Sequence, residues 1–268
     1  MHRFDGGTRI RSHRCDGKRS VAAGFTMCGR MVLTRSASEI AETFEAEVGA
    51  DETATGPRFN VAPAQSILAI REDEEGSREL VEFEWGLVPF WVKERAGFRS
   101  SINARSETVA TKPSFRAAFQ RRRCLVPADG FYEWERRGKT KKTEQAGAPG
   151  PYFFSARDRS LLAMAGIWES WVDRASGEVV ESCALLTVAA NRFMGRIHHR
   201  MPALIEKADW GVWLAPGPGD PEPLLSLLQP APEDRLDAVR VGRYVNQARN
   251  EGPRCLEPLA EVGDSAGC

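Results

Sequence analysis

A cysteine one place after a methionine, in Met27-Cys28-Gly29-Arg30, has a chemistry no internal cysteine possesses once it becomes the first residue. Removal of Met27, which the small following residue permits, gives Cys28 a free α-amine on the carbon next to the one bearing its thiol. Such a pair condenses with an aldehyde. The amine forms an imine with loss of water, and the thiol then adds to the imine carbon and closes a five-membered thiazolidine. The α-amine has an ordinary pKa of about 7.7–8.0, against about 10.4 for lysine, so a useful fraction is neutral and nucleophilic near pH 7. Taken alone, the tetrapeptide is better explained as the start of a first strand carrying a small buried cysteine, the usual fate of a free thiol.

Three further stretches hold candidate groups. In Asn103-Ala104-Arg105-Ser106-Glu107 a loop asparagine offers a donor and an acceptor, and Arg105 offers a bidentate clamp for an anion. The alternative is an asparagine capping the next helix beside solvated charges. In Gly130-Phe131-Tyr132-Glu133-Trp134 a carboxylate lies among aromatic rings, where its pKa rises toward the range useful for proton transfer. Simple strand alternation would instead leave Glu133 exposed. In His198-His199-Arg200-Met201-Pro202 an imidazole stands beside a guanidinium in a segment ended by proline, and an ordinary surface histidine pair is the competing explanation. Trp85, Trp91 and Trp134 also flank loops carrying Arg30, Arg58, Arg99, Arg105 and Arg200. Stacking planes with phosphate-binding arginines suit single-stranded nucleic acid, although a tryptophan-rich core with peripheral arginines has the same pattern.

The elements that must position these groups are short. Strands are expected at 31–34, at 66–71 and 80–85 around an acidic turn, at 122–127, 130–135, 152–155, 161–168 and 182–189, and near 238–242. Helices are expected from Ser36 or Ser38 to about Val48, over Pro113–Arg121, and over 206–214 and 221–228. This pattern predicts an α+β fold, mainly β, built around an open barrel or sandwich with several short helices. Residues 1–26 are basic and nearly without apolar pattern, and predict a disordered leader or an upstream extension of a chain that starts at Met27. One domain is expected over 27–245, with a mobile insertion over Arg136–Gly150 and a polar tail over 246–268.

The 268 residues are 42% hydrophobic and 28% charged with zero net charge, ordinary for a globular chain. No apolar run reaches membrane-spanning length. Six scattered cysteines form no C-x-x-C pair, which argues against a zinc site or a disulfide framework and for a reducing cytoplasm. Beyond the leader the only histidines are His198 and His199, so metal chemistry built on several imidazoles is not expected.

Seven stretches in order turn weak signals into a strong one: Met27–Arg30, Phe59-Asn60-Val61-Ala62-Pro63, Trp85–Trp91, Asn103–Glu107, Arg123–Trp134, Ala165–Trp168 and His198–Pro202. Over residues 27–215 the chain resembles the SRAP family, the SOS-response-associated peptidases, also described as abasic-site processing proteins. The resemblance implies a DNA-damage function. The protein would recognise an abasic site in single-stranded DNA and link to it covalently through N-terminal Cys28, shielding the site from strand cleavage. It implies catalytic roles for Cys28, Asn103, Glu133 and His198, phosphate contacts for Arg105 and Arg200, and places around the DNA channel for Arg30, Asn60, Pro63, Trp85 and Trp134. It implies no metal or nucleotide cofactor, no membrane, a monomer, and a cytoplasmic protein that joins the nucleoid when bound to DNA. The family's peptidase designation implies self-cleavage before Cys28, and hydrolase or lyase chemistry at the same centre. Two alternatives stay open: a thiol peptidase with Cys28 as nucleophile and His198 as base, and a non-catalytic single-strand DNA-binding module.

Overall fold

The computed structural model describes residues 28–48, 56–135, 150–218 and 220–259. The leader, nearly all of the Arg136–Gly150 insertion and the last nine residues lie outside the described residues. In chain order the strands are β1 (Met31–Leu33), β2 (Glu47–Val48), β3 (Arg58–Val61), β4 (Ser66–Glu72), β5 (Arg78–Trp85), β6 (Asn103–Arg105) and β7 (Arg123–Ala128). They continue with β8 (Gly130–Trp134), β9 (Pro151–Ala156), β10 (Leu162–Val172), β11 (Val179–Ala189), β12 (Arg200–Pro202) and β13 (Leu236–Arg240). The helices are α1 (Ala37–Phe44), α2 (Ser106–Val109), α3 (Arg116–Arg121), α4 (Arg192–Gly195), α5 (Trp210–Leu214) and α6 (Pro221–Ser226).

The fold is α+β and mainly β, and its barrel is closed rather than open. Antiparallel ladders join β11, β10, β7, β4 and β5, and a parallel pairing of Ser182 with Glu84 and Cys183 with Trp85 returns β5 to β11. Closure leaves no free edge among these five strands. It also buries Trp85 completely, with its indole donating to Ile102 O at 3.0 Å. The chain leaves β5, forms a loop pinned by the Trp171 indole on Val92 O at 2.7 Å, and returns as β6 along the same β11 strand. Thr187 of β11 therefore faces Arg105 on one side and Pro202 of β12 on the other.

The second sheet has the order β13-β9-β8-β1-β3. Met31 of β1 pairs with Phe131 of β8, so the residues just before β1 run beside Tyr132–Trp134. Gly130 opens β8 because a Cβ there would stand 2.2 Å from Phe154 O. Helix α1 begins at a Ser36–Glu39 capping box, so of the two expected serines it is Ser36 that caps it. It stops at Phe44 rather than near Val48, because Glu45 turns left-handed at φ 56° and sends Glu47–Val48 into β2. The expected helices at 206–214 and 221–228 are shorter, each broken into a turn or two around Trp210–Leu214 and Pro221–Ser226.

Residues 246–259, expected as the start of a polar tail, pack on the second sheet. Cys255 is fully buried with Tyr132, Val241 and Val245 in a small core of its own. Among the described residues no helix is long and apolar enough to cross a membrane.

Candidate active site

Cys28 sits at the start of the β1 arm with 2% of its surface exposed and φ +43°. A non-glycine residue in this left-handed region holds backbone strain of about 1–3 kcal/mol, a feature that gathers at functional sites. Its backbone nitrogen donates to Glu133 Oε1 at 2.5 Å. The antiparallel β1–β8 register produces this contact from residues far apart in sequence. Glu133 is itself 3% exposed, so strand alternation does not leave it in solvent. Burial lifts its carboxyl to about 7, against the lowering effect of hydrogen bonds from Cys28 and from the Trp134 N–H.

His198 completes the cluster. It lies buried between α4 and β12, with Nδ1 3.8 Å from the same Glu133 oxygen. Its Nδ1 lies 3.2 Å from Arg200 N and 3.3 Å from Arg200 O, accepting from the first in one tautomer and donating to the second in the other. His199 is exposed and its ring lies 4.5 Å from that of His198. The thiol of Cys28 is held well above its ordinary pKa, first by burial, then by the Glu133 charge and hydrogen bond, with the Arg200 charge pulling the other way.

Arg200 is buried. Its guanidinium makes a fork with Glu107, including Nη2 to Oε2 at 2.9 Å, and also donates to Thr187 O. The Arg200 hydrogen bond is the first cause of the lowered pKa of Glu107. Arg200 is thus engaged by Glu107 and Thr187, and its charge also acts on the Cys28 thiol. Asn103 is half-buried on β6, held in register by Leu185 of β11, and Arg105 beside it is exposed.

Two expected DNA-channel residues are interior. Trp85 fills the barrel and cannot stack on a base. Asn60 is fully buried, and its Nδ2 bridges Val245 O, Gln247 O and Asn250 O at 3.3, 3.0 and 2.8 Å. It clasps the C-terminal segment to β3. Arg30 is half-buried, donates to Asn60 Oδ1 at 2.8 Å and to Val245 O at 2.9 Å, and lies 5.9 Å from the Trp134 ring centre. Trp134 and Pro63 are partly exposed. Sequence patterning missed Phe90, 57% exposed beside Trp91 at 50%, on the loop between β5 and β6. Two adjacent aromatics after Pro89 were the available signal. It also missed the Glu107–Arg200 fork, which no local pattern announces. Among the described residues no group of three or more His, Cys, Asp or Glu could hold a metal ion.

A strained, buried cysteine whose nitrogen meets a carboxyl of raised pKa, with a histidine behind it, joins the same ordered motifs to one centre. The family model for SOS response associated peptidase (SRAP) matches residues 27–248, and the chain belongs to that family. It is 38% identical over 232 residues to the abasic site processing protein YoqW of Bacillus subtilis, covering 86% of this chain and 99% of that one. It is 33% identical over 239 residues to the abasic site processing protein HMCES of Gallus gallus, covering 77% of this chain and 67% of that one. A crystal structure of a Bacteroides thetaiotaomicron protein superposes with a TM-score of 0.76 at 26% identity, covering 87% of this chain and all of that one.

Proposed function

We propose that this protein acts on abasic sites in single-stranded DNA by forming a covalent thiazolidine through Cys28, once Cys28 is the N-terminal residue. The observation that carries the proposal is the 2.5 Å contact between the Cys28 nitrogen and Glu133 Oε1, with His198 3.8 Å from the same oxygen. The names of YoqW and HMCES supply the substrate class.

An α-ammonium and a carboxylate facing each other in a buried site both lose hydration. Desolvation favours moving the proton from nitrogen to Glu133, leaving a neutral amine and a neutral acid. The amine attacks C1′ of the ring-opened deoxyribose. The carbonyl oxygen gains a proton from the Glu133 acid or from a protonated His198, and a second proton transfer lets it leave as water. The protonated imine that results is an electrophile at C1′. The Cys28 sulfur adds to that carbon, the C=N electron pair returns to nitrogen, and the thiol proton passes to the Glu133 carboxylate. One water is lost and nothing is oxidised or reduced. Asn103 orients the sugar and the Cys28 backbone, while Arg105, Arg30, Pro63, Trp134 and the exposed Phe90–Trp91 pair line the path of the strand.

The Cys28 nitrogen held against Glu133 supports amine chemistry over a thiol peptidase, which would leave that nitrogen without a role. Incubation of protein beginning at Cys28 with an abasic single strand tests the proposal. It expects an adduct that survives denaturation and is absent in Cys28→Ala. Peptide hydrolysis without an adduct would replace it with the peptidase, and salt-sensitive binding alone with a passive binding module.

A further inference from the structure

Asn246 is the exposed last residue of the turn Arg243–Asn246, in a segment with no expected role at the site. Yet its Oδ1 accepts from the Trp134 indole N–H at 2.8 Å. An indole N–H can only donate, so the amide oxygen faces the ring and the amide nitrogen faces away. The turn that carries Asn246 is rigidly held. Asn60 takes three of its neighbouring carbonyls, Arg30 donates to Val245 O, Glu251 accepts from Phe59 N at 2.8 Å, and Asn250 Nδ2 donates to Tyr244 O at 2.6 Å. Trp134 follows Glu133 directly, and Arg30 lies toward its ring from the Cys28 arm. An indole partly in solvent would otherwise sample several rotamers, and ordering it on binding has an entropic cost.

We propose that Asn246 is a positioning residue for substrate binding: it locks the Trp134 ring in the plane on which a nucleotide beside the lesion stacks. This rests on the proposed DNA function for its ligand, but the coupling is a property of the free protein. The C-terminal segment is thereby part of the site, with Asn60 as the buried clasp that transmits its position.

The test uses a labelled single strand carrying tetrahydrofuran in place of the abasic sugar, which has no aldehyde and cannot crosslink. Binding is measured by anisotropy for the wild type, Asn246→Ala, Trp134→Phe and the double variant. Trp134→Phe keeps a ring and removes the N–H. Each single variant is expected to bind about three- to tenfold more weakly, the worth of one hydrogen bond, and the double variant no more weakly than the worse single one. The indole resonance that Trp134→Phe deletes in a nitrogen-15 spectrum should move in Asn246→Ala and return toward its place in Asn246→Asp, which keeps an acceptor. Multiplying losses in the double variant, wild-type binding by Asn246→Ala, or no binding by the wild type would overturn the proposal. A strand with a true abasic site reports separately on the covalent chemistry. Absence of an adduct there, with coupling intact on the tetrahydrofuran strand, ends the first proposal and leaves this one.

Discussion

Replacing Glu133 with glutamine should make the full-length protein more stable in mild alkali. Glu133 is 3% exposed, and burial raises its carboxyl from an ordinary 4.5 to about 7. A carboxyl with a raised folded-state pKa binds its proton more tightly in the native state than in the unfolded chain. Its contribution is therefore most favourable below 4.5, declines as pH rises, and levels out above about 7. The interval from 4.5 to about 7, at about 1.4 kcal/mol per pH unit, is roughly 3 kcal/mol of instability at pH 8.5. Glutamine removes that charge. Its carboxamide oxygen still accepts from the Cys28 N–H, while its NH2 cannot accept from the Trp134 N–H, a loss of about 1 kcal/mol. The net gain is about 2 kcal/mol at pH 8.5 and near zero or negative at pH 5. Urea denaturation of both proteins at the two pH values measures it. A stability difference that is the same at pH 5 and pH 8.5 would refute the buried, proton-holding carboxyl. In protein beginning at Cys28 an ammonium faces Glu133, and the alkaline gain should shrink or reverse.

His198→Ala should slow the covalent step about a hundredfold with true abasic strands in a quenched time course, whereas His199→Ala should change it by less than threefold. The opposite ranking would mean that the exposed ring does the work. Arg105→Ala should reduce the slope of log affinity against log salt by about 0.7, the release from one single-strand phosphate, and an unchanged slope would remove Arg105 from the phosphate path. Asn60→Ala should cost about 2–4 kcal/mol in urea denaturation by leaving buried carbonyls and Arg30 short of partners. A cost below about 1 kcal/mol would show that the C-terminal segment does not depend on this clasp.

Much of the architecture follows from local rules. The β4–β5 hairpin comes from alternation around an acidic turn, and α1 from a Ser36–Glu39 capping box. Closure of the barrel does not, because the parallel β5–β11 and β6–β11 pairings join segments 98 and 82 residues apart, Glu84 to Ser182 and Asn103 to Leu185, and have no turn to announce them. The same non-local register sets Cys28 against Glu133. Glu133 by alternation could have faced solvent, and only the β1 arm lying over it decides that it does not. Trp85 and Asn60 show the reverse error. Their motifs identify residues that matter, but a motif cannot tell a group that touches a ligand from one that holds the fold, and both are buried. Asn246 escaped because 246–268 is polar in composition, while the packing of 246–259 arises from carbonyls and the buried Cys255 rather than from an apolar stripe.

The central claim is that the amine and the thiol of Cys28 react together, and intact mass of the denatured adduct addresses it most directly. Protein beginning at Cys28, mixed with a single strand bearing one abasic site, should give a species equal to protein plus oligonucleotide minus one water. It should form without a reductant, persist through denaturation, and vanish when the Cys28 amine is acetylated or its sulfur removed. An adduct of that mass that forms equally well with the amine blocked, or no adduct with both groups free, would contradict the account.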